Sequence, residues 1–253
     1  MGEAQKEYQE LANIYDYLVA EIDYDDWFKY IQKILDKIDF QPNKVADLAC
    51  GTGKTTIPFA KLGIKSYGVD ISKDMLEIAD EKVKAFDMDI TFLKQDMKEL
   101  SLPEEVDLVV CYHDGMNYIL SLGELSKVFS SVYNNLADGG YFIFDLNSVN
   151  RFQEAEEEEG VTIIDEEERF LAWQTDYDPL TDIWTIDLTG FIKGEDGLYQ
   201  RFKEVHKEKH YSEGDVLMAL RKAGFKVVDY YEAFTWQKPS YNSSRIMYIV
   251  EKN

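Results

Sequence analysis

The sequence predicts an α/β protein whose core is a mostly parallel β-sheet covered on both faces by helices. Short apolar runs alternate with amphipathic stretches from about residue 44 to residue 150, and a glycine-rich turn follows the first run. Strands that alternate with helices are typical of parallel sheets. The chain has 253 residues, of which 45% are hydrophobic, so it can bury one sizeable core with room for one insertion.

The chain is predicted to begin with a helical cap over residues 1–40. Apolar side chains recur there at helical spacing, before and after an acidic break at residues 23–26. Ser72 is a suitable N-cap for the second of three helices that follow, and a Gly-Gly pair is expected to stop the third. The predicted helices are TTIPFAKLG, SKDMLEIADEKVKAF and LGELSKVFSSVYNNLADGG; the predicted strands are KVADLAC, KSYGVDI, DITFLKQDM, VDLVVCYHD and YFIFDLN.

After residue 150 the hydrophobic pattern changes to that of strands. In the stretch WTIDLT, large apolar side chains alternate with polar ones, which is the period of a half-buried strand. We expect residues 151–210 to form an antiparallel meander of three or four strands. It is inserted into a main domain made of residues 41–150 and 211–253. The second part of that domain supplies a helix capped by Ser212 and Gly224 and two closing strands, KVVDYYEAF and RIMYIVEKN.

Composition and charge exclude several classes of function. The net charge of −22 repels phosphate backbones, so we expect neither nucleic acid nor an anionic membrane as a partner. No run of about 18 apolar residues occurs, and the opening MGEAQKEYQE is too polar and acidic for a secretory signal. The two cysteines give no disulfide framework, so a cytoplasmic location is expected.

The stretch DLACGTGKTT, residues 47–56, is interpreted as a glycine turn that could hold one of three ligands. A triphosphate loop needs a glycine where this chain has Leu48. A dinucleotide fingerprint needs a third glycine where this chain has Thr56. S-adenosylmethionine needs no pyrophosphate pocket, and Gly51 and Gly53 let the main chain approach its methionyl and ribose parts. The third ligand is therefore favoured.

Acidic or polar residues at the predicted strand ends supply the rest of this binding site. Asp70 ends the second strand, where a carboxylate can accept hydrogen bonds from both ribose hydroxyls. Asp96 ends the third strand and can accept from the adenine amino group, while Met97 packs on the ring. Cys111 ends the fourth strand, next to the reacting sulfonium. Asp47 opens the turn and either orients it or takes the ammonium through a water molecule.

Four motifs in order resemble those of class I S-adenosylmethionine-dependent methyltransferases: DLACGTG, GVDIS with DMLEIA, QDM, and VDLVVCYHDGMNYI with LADGGYFIFDLN. The resemblance covers the chain from about residue 45 to its end. YQELANIYDYLVAEIDYDDW and YQRFKEVHKEKHYSEGDV resemble a bacterial branch of uncharacterised small-molecule methyltransferases, with nucleotide-sugar aminomethyltransferases more distantly similar. The resemblance implies a Rossmann-like sheet of seven strands in the order 3-2-1-4-5-7-6, in which the seventh strand, RIMYIVEKN, is antiparallel.

Motifs and resemblance together predict the residues around the cofactor. In the family the N-terminal segment caps the cofactor and a tyrosine there often faces the sulfonium, which makes Tyr8 and Tyr15 candidates. Lys54 is expected to point to solvent and Cys50 to fill core space. The predicted cofactor-binding residues are Tyr8, Asp47, Ala49, Gly51, Gly53, Asp70, Ile71, Met75, Gln95, Asp96, Met97 and Cys111.

Two of the three histidines are candidates for proton transfer. His113 follows the fourth strand, where the methyl group is presented. His206 shares one face of a predicted strand with Glu204, Glu208 and His210, while the other face is basic. This strand is interpreted either as a substrate-facing lid or as an ordinary edge strand charged on both sides. We predict no metal site, because no cysteine accompanies the histidines.

These observations predict an S-adenosylmethionine-dependent methyltransferase that acts on a small-molecule acceptor by in-line displacement at nitrogen or oxygen. His113, His206 and Tyr15 are the candidate catalytic residues, since a hydroxyl or a protonated amine needs a base. The alternatives are a non-catalytic nucleoside-binding regulatory module and a nicotinamide-dependent reductase. We expect a monomer or a homodimer.

Overall fold

The computed structural model of this chain describes residues 15–16, 22–150, 162–194 and 196–253. The helices are α1 (Tyr24–Lys37), α2 (Ile57–Lys61), α3 (Lys73–Val83), α4 (Leu122–Asn135) and α5 (Glu213–Ala223), with 3-10 helices at Met97–Glu99 and Gly115–Tyr118. The strands are β1 (Lys44–Leu48), β2 (Lys65–Asp70), β3 (Ile90–Lys94), β4 (Val106–Cys111), β5 (Leu136–Asn147), β6 (Thr162–Asp165), β7 (Arg169–Asp178), β8 (Ile183–Lys193), β9 (Tyr199–Lys209), β10 (Phe225–Glu232) and β11 (Arg245–Lys252).

Capping residues set the ends of α3 and α5 as the sequence predicts. Ser72 Oγ accepts a hydrogen bond from the Met75 N–H at 3.3 Å, and Ser212 Oγ accepts one from the Asp215 N–H at 3.1 Å. Each serine thereby satisfies one of the unpaired N–H groups at its helix start. Gly224 ends α5 at φ 104°, a left-handed conformation that glycine adopts without a steric cost.

The end of α4 differs from the prediction, because the helix stops before the Gly-Gly pair. Leu136 has an extended backbone, with ψ 142°, and already belongs to β5. The pairing of β5 with β4 then shifts register between Val106 and Leu108. Gly139 adopts φ 76° inside that irregularity. The glycines therefore shape a bulge in the strand and do not stop the helix.

The main sheet has seven strands in the order β10-β11-β5-β4-β1-β2-β3. Strands β1 to β5 pair in parallel, whereas β11 is antiparallel to both of its neighbours. With β10 and β11 counted as the sixth and seventh strands, this arrangement confirms the predicted order. The carboxyl ends of β1 to β4 consequently meet along one edge of the sheet.

A second sheet of four antiparallel strands, in the order β6-β7-β8-β9, confirms the expected meander. Residues 151–161 are not among the described residues, so the predicted limits 151 and 210, like those of the cap, stay predictions. Along β9 buried and exposed residues alternate, as the sequence pattern indicates. Strand β9 packs against the 3-10 helix at Gly115–Tyr118 and so lies beside the carboxyl edge of the main sheet.

Two apolar clusters cover the two faces of the main sheet. On one face Ile31 and Ile34 of α1 pack with Val45 and Leu108 of the sheet. On the other face α4 and α5 pack against β5 and β11. Each fully buried side chain of this size stabilises the fold by roughly 1.5–3 kcal/mol. No helix within the described ranges is long and apolar enough to cross a membrane.

Candidate active site

A cavity of about 170 Å³ lies where the carboxyl ends of the first four strands meet. Most of the predicted site residues line it: Tyr15, Ala49, Gly51, Asp70, Ile71, Met75, Gln95, Asp96, Met97 and His113. The sequence did not single out five further lining residues, Val69, Lys98, Gly115, Tyr118 and Ile119. Tyr8 lies outside the described residues, so its predicted role has no structural counterpart.

Two glycines of the turn after β1 serve different purposes. Gly51, at φ 53°, lines the cavity and donates its N–H to Asp70 Oδ2 at 2.8 Å. Gly53, at φ 79°, faces α3 and β3, since a Cβ built on it would lie 3.2 Å from Ala79 Cβ and from Phe92 Cζ. The structure therefore places Gly53 at a helix–strand contact and not in the cavity lining.

Asp47 is also absent from the cavity lining, because it is turned into the protein below the glycine turn. It is 1% exposed, and its Oδ2 accepts hydrogen bonds from the hydroxyls of Thr55 and Thr56, each at 2.6 Å. Burial raises the pKa of Asp47 to about 7, although both hydroxyls favour its ionised form. The geometry assigns Asp47 to holding the turn, which was one of its two predicted roles.

Two carboxylates reach the cavity from adjacent strand ends. Asp70, at the end of β2, accepts from the N–H groups of Gly51 and Ser72, both at 2.8 Å. Burial raises its pKa, while these N–H groups lower it. Asp96 follows β3 and accepts from the Lys98 N–H at 2.9 Å, with Lys98 Nζ 3.4 Å from its other oxygen. Apart from Lys98, oxygen acceptors thus dominate this side of the cavity.

Apolar side chains lie between and beside these carboxylates. Ile71, Met75 and Met97 line the same cavity, so it offers apolar surfaces to a flat ring and carboxylates to hydroxyl or amino groups. The Gln95 side chain is directed to the main chain of Ser101, which it bonds twice at 2.9 Å. This combination of carboxylate acceptors and apolar surfaces fits an adenine nucleoside.

The turn after β4 carries His113 into the cavity through an unusual backbone. His113 and Asp114 both adopt φ 68°, a left-handed conformation that costs energy in residues other than glycine and is common at functional sites. The His113 ring packs against Tyr24 and Trp27, with centroid distances of 4.8 and 4.5 Å. Cys111, at the end of β4, is fully buried in the core and does not line the cavity.

Burial determines the protonation state of His113. It lowers the pKa of His113 to about 4, with nearby Asp114 opposing this shift and Arg245 adding to it. The imidazole is therefore neutral near pH 7. Nε2 of His113 is buried and has no hydrogen-bond partner within the described part of the chain. His113 thus contributes a neutral imidazole to the cavity wall.

His206 lies one side chain away from the cavity. It is 4% exposed on β9, and its Nε2 is 3.2 Å from Glu204 Oε2. Its ring meets the Tyr118 ring edge-on, with centroids 6.1 Å apart, and Tyr118 lines the cavity. Tyr15 lines the cavity directly and shares a hydrogen bond with Tyr24. Burial raises the pKa of Tyr15 to about 12, so its hydroxyl stays protonated near neutral pH.

The sheet order and the strand-end carboxylates define a class I methyltransferase that uses S-adenosylmethionine. The family described as a methyltransferase domain matches residues 45–140. The chain is 33% identical to a protein of Geobacillus sp. (strain WCH70) named Putative methyltransferase, over 97% of this chain and 99% of that protein. The chain belongs to this family of methyltransferases.

Solved structures agree with this assignment. The crystal structure of an S-adenosylmethionine-dependent methyltransferase from Clostridium acetobutylicum ATCC 824 matches with a TM-score of 0.84 and 30% identity, over 97% of this chain and 99% of that one. The sugar N-methyltransferase KedS8 from Streptoalloteichus sp. ATCC 53650 matches with a TM-score of 0.73 and 17% identity, over 94% and 91% of the two chains. The second similarity concerns the fold alone.

Proposed function

We propose that this methyltransferase methylates an amino group of a small molecule. The observation that carries the proposal is the neutral, buried imidazole of His113 in the wall of the cofactor cavity. A base with a pKa of about 4 is weak near neutral pH. Such a group suits an acceptor that needs orientation more than deprotonation. A neutral amine is such an acceptor, because its nitrogen already carries a lone pair.

The proposed cofactor contacts follow from the cavity lining. Asp70 accepts hydrogen bonds from the ribose hydroxyls and Asp96 accepts one from the adenine amino group. Ile71 and Met97 pack against the adenine ring. The cofactor supplies a methyl group on a sulfonium whose thioether leaves readily. The main-chain groups around Gly51 lie against the methionyl part.

The chain contributes to the chemistry chiefly by holding the acceptor in line and excluding water. Nε2 of His113 accepts a hydrogen bond from the amine N–H, so that the nitrogen lone pair points at the methyl group. After transfer the acceptor nitrogen carries a positive charge and releases a proton to solvent, because His113 is too weak a base to take it. Tyr15, whose hydroxyl stays protonated, bounds the other side of the cavity and keeps water out.

Charge and similarity support a small acceptor. The net charge of −22 opposes binding of nucleic acid. The structural neighbour KedS8 is described as a sugar N-methyltransferase, and CalS10, with a TM-score of 0.66, as an amino pentose methyltransferase. Both descriptions are compatible with an amine acceptor for this chain.

A hydroxyl acceptor is the second candidate, and the His206–Glu204 pair favours it. A histidine held by a carboxylate at 3.2 Å is an arrangement that general bases use. In that reaction the hydroxyl proton passes to His206 by way of the Tyr118 hydroxyl while oxygen attacks the methyl group, because Tyr118 lies between His206 and the cavity. The amine candidate therefore relies on His113 to orient the acceptor, whereas the hydroxyl candidate relies on His206 to accept the proton.

The test is a screen of matched amines and alcohols with methyl-labelled S-adenosylmethionine, using wild type, His113→Asn and His206→Gln. Asn is chosen at position 113 because it tolerates the left-handed backbone. We expect labelled amines, a loss of about 100-fold in kcat for His113→Asn because the acceptor loses its orienting hydrogen bond, and at most a small loss for His206→Gln. Affinity for S-adenosylhomocysteine should be unchanged in both variants.

Labelled alcohols together with inactive His206→Gln would establish the hydroxyl candidate instead. If a double variant carrying His113→Asn and His206→Gln turned over normally, neither histidine would be required for methyl transfer. Binding of S-adenosylhomocysteine without transfer to any acceptor in the screen or in a metabolite extract would favour a regulatory module.

A further inference from the structure

We propose that Asp16 is a positioning residue that holds Tyr15 over the cofactor cavity, and that it does so through Thr52, Lys54 and Lys82. These four residues are called the Asp16 latch. It is distinct from the groups that bind cofactor or acceptor, because none of its members lines the cavity. The proposal concerns retention of the cofactor and does not depend on which acceptor is methylated.

The latch joins Asp16 to the glycine turn, through Thr52 and Lys54, and to α3, through Lys82. Thr52 Oγ1 donates to Asp16 Oδ1 at 2.6 Å, and Lys82 forms an ion pair with the other carboxylate oxygen. Lys54 Nζ donates to the main-chain oxygen of Asp16 at 3.2 Å and lies 3.8 Å from its Oδ1. Lys82 Nζ also donates to the Thr52 main-chain oxygen at 3.0 Å. One carboxylate thus receives a hydroxyl and two ammonium groups.

Each residue of the latch that binds the Asp16 side chain is connected to a residue that lines the cavity. Tyr15 precedes Asp16 and lines the cavity, where its Cε1 lies 3.9 Å from the position of a Cβ built on Gly51. Thr52 follows Gly51 in the glycine turn, and Lys82 belongs to α3, whose first turns carry the cavity residue Met75. A change in the latch therefore alters the distance between Tyr15 and the turn.

The partial exposure of the latch indicates that its ion pairs can open, unlike contacts in the buried core. The side chains of Asp16, Lys54 and Lys82 are 38%, 27% and 29% exposed, so water still reaches all three. Burial alone would raise the pKa of Asp16, yet the hydrogen bonds from Lys82 and Thr52 bring it below its usual value. The carboxylate is therefore ionised near neutral pH, and its attraction to the lysines is sensitive to salt.

The position of Lys54 corrects the expectation that it points to solvent. Besides its contacts with Asp16, its ammonium lies 5.0 Å from the centre of the Tyr24 ring. Tyr24 in turn shares a hydrogen bond with Tyr15. Lys54 therefore contacts both residues that fix Tyr15, namely its neighbour in sequence and its hydrogen-bond partner.

The experiment compares wild type with Asp16→Asn, Lys82→Met and the double variant. Asn keeps an oxygen for Thr52 but removes the charge and the oxygen that pairs with Lys82. Lys73→Met is the matched control, because Lys73 lies on the same helix and, among the described residues, forms its ion pair with exposed Glu77, at 2.6 Å. Calorimetry gives the Kd of S-adenosylhomocysteine at low and high salt, and stopped-flow tyrosine and tryptophan fluorescence gives its dissociation rate. Melting of the ligand-free protein reports on the fold.

We expect Asp16→Asn to weaken S-adenosylhomocysteine binding roughly tenfold, mainly through faster dissociation, because a charge-assisted contact is lost. The double variant should lose no more than either single variant, and Lys73→Met should bind like wild type. Raising the salt concentration should weaken S-adenosylhomocysteine binding in the wild type, and it should weaken binding less in Asp16→Asn.

Affinity of Asp16→Asn within twofold of wild type would overturn the proposal. The proposal would also fail if the weaker binding of Asp16→Asn were fully explained by a lower melting temperature of its ligand-free form. Asp16 would then act only by stabilising the fold. Wild-type binding of S-adenosylhomocysteine is measured in the same series, and transfer to an acceptor is not needed. Failure of the latch and failure of the proposed amine acceptor are thus distinguishable.

Discussion

Arg245 Nη1 lies 2.6 Å from Asp114 Oδ1, and the same nitrogen pairs with Asp145. The guanidinium also covers the Trp27 ring, with Cζ 5.3 Å from the ring centre. One arginine at the start of β11 thereby connects three elements: the His113 turn, β5 and α1. Asp145 is 0% exposed, so its ionised form depends on this partner.

Replacement of Arg245 by Met should destabilise the protein by about 3–5 kcal/mol, because it leaves a buried carboxylate without its cation. The loss is measured by urea denaturation near pH 8, with Arg221→Met as a control on α5. Adding Asp145→Asn to Arg245→Met should restore part of the stability, since the remaining group is neutral. If the free energy of unfolding fell by less than about 1 kcal/mol in Arg245→Met, the Asp145 carboxylate would not depend on Arg245 for its stability.

Asp47 should make the stability of the wild type fall as the pH rises. Its folded pKa is raised from 3.8 to about 7. Its contribution is therefore complete below about pH 4 and is lost as the pH rises through 7, by about 4 kcal/mol. Asp145, with a pKa of about 6, acts in the same direction. In Asp47→Asn the fall between pH 4 and pH 8 should be smaller by that amount, as measured by denaturation at each pH.

Asp145→Asn is the companion measurement for Asp47→Asn, because it removes the other raised carboxyl. If both variants kept the full pH dependence of the wild type, the two buried aspartates would not be its source.

Asp70→Asn should weaken binding of S-adenosylhomocysteine by roughly 10–100-fold, the size of a lost hydrogen bond to a charged group. The Asp70 carboxylate already accepts two main-chain N–H groups, so the ligand meets an oriented acceptor. Calorimetry measures the change, with Asp87→Asn on the exposed surface as the control. Unchanged affinity in Asp70→Asn would exclude the proposed ribose contact.

Gly115→Ala should impair cofactor binding and destabilise the fold, whereas Gly123→Ala should not. A Cβ on Gly115 would lie 2.8 Å from Ala49 Cβ and from Cys111 Sγ, which are held by β1 and β4. A Cβ on Gly123 in α4 would meet nothing within 4 Å. The second change should stabilise the helix by up to about 1 kcal/mol. Thermal denaturation and S-adenosylhomocysteine binding are measured for both variants. Equal stability and affinity in the two would contradict the prediction.

The parts of the site that the sequence predicts are those held by local structure. Asp70 and Asp96 follow short apolar runs, and in a parallel sheet the carboxyl end of every strand faces the same edge. Burial on one side of β9 also follows from a period of two, which places His206 and Glu204 together. These inferences need only the order of strands and the spacing of side chains.

The remaining features depend on contacts between distant parts of the chain. Arg245 and Asp145 are 100 positions apart, and their pairing follows only from β11 lying beside β5. Tyr118 enters the cavity because a 3-10 helix packs on β9, which sequence spacing does not reveal. The sequence left two roles open for Asp47, orienting the turn or meeting the ammonium through water, because the two threonine hydroxyls that hold it inward cannot be located from the sequence.

The interior place of β11 has a consequence for biosynthesis. In the sheet β11 lies between β5 and β10, but it is synthesised long after β5. Until then the edge of β5 that pairs with β11 has unpaired N–H and C=O groups. Nascent chains must keep that edge from pairing with other chains until Arg245–Lys252 emerges. Since Arg245 also pairs with Asp114 in the turn that carries His113, that turn gains its ion pair only after β11 has been made.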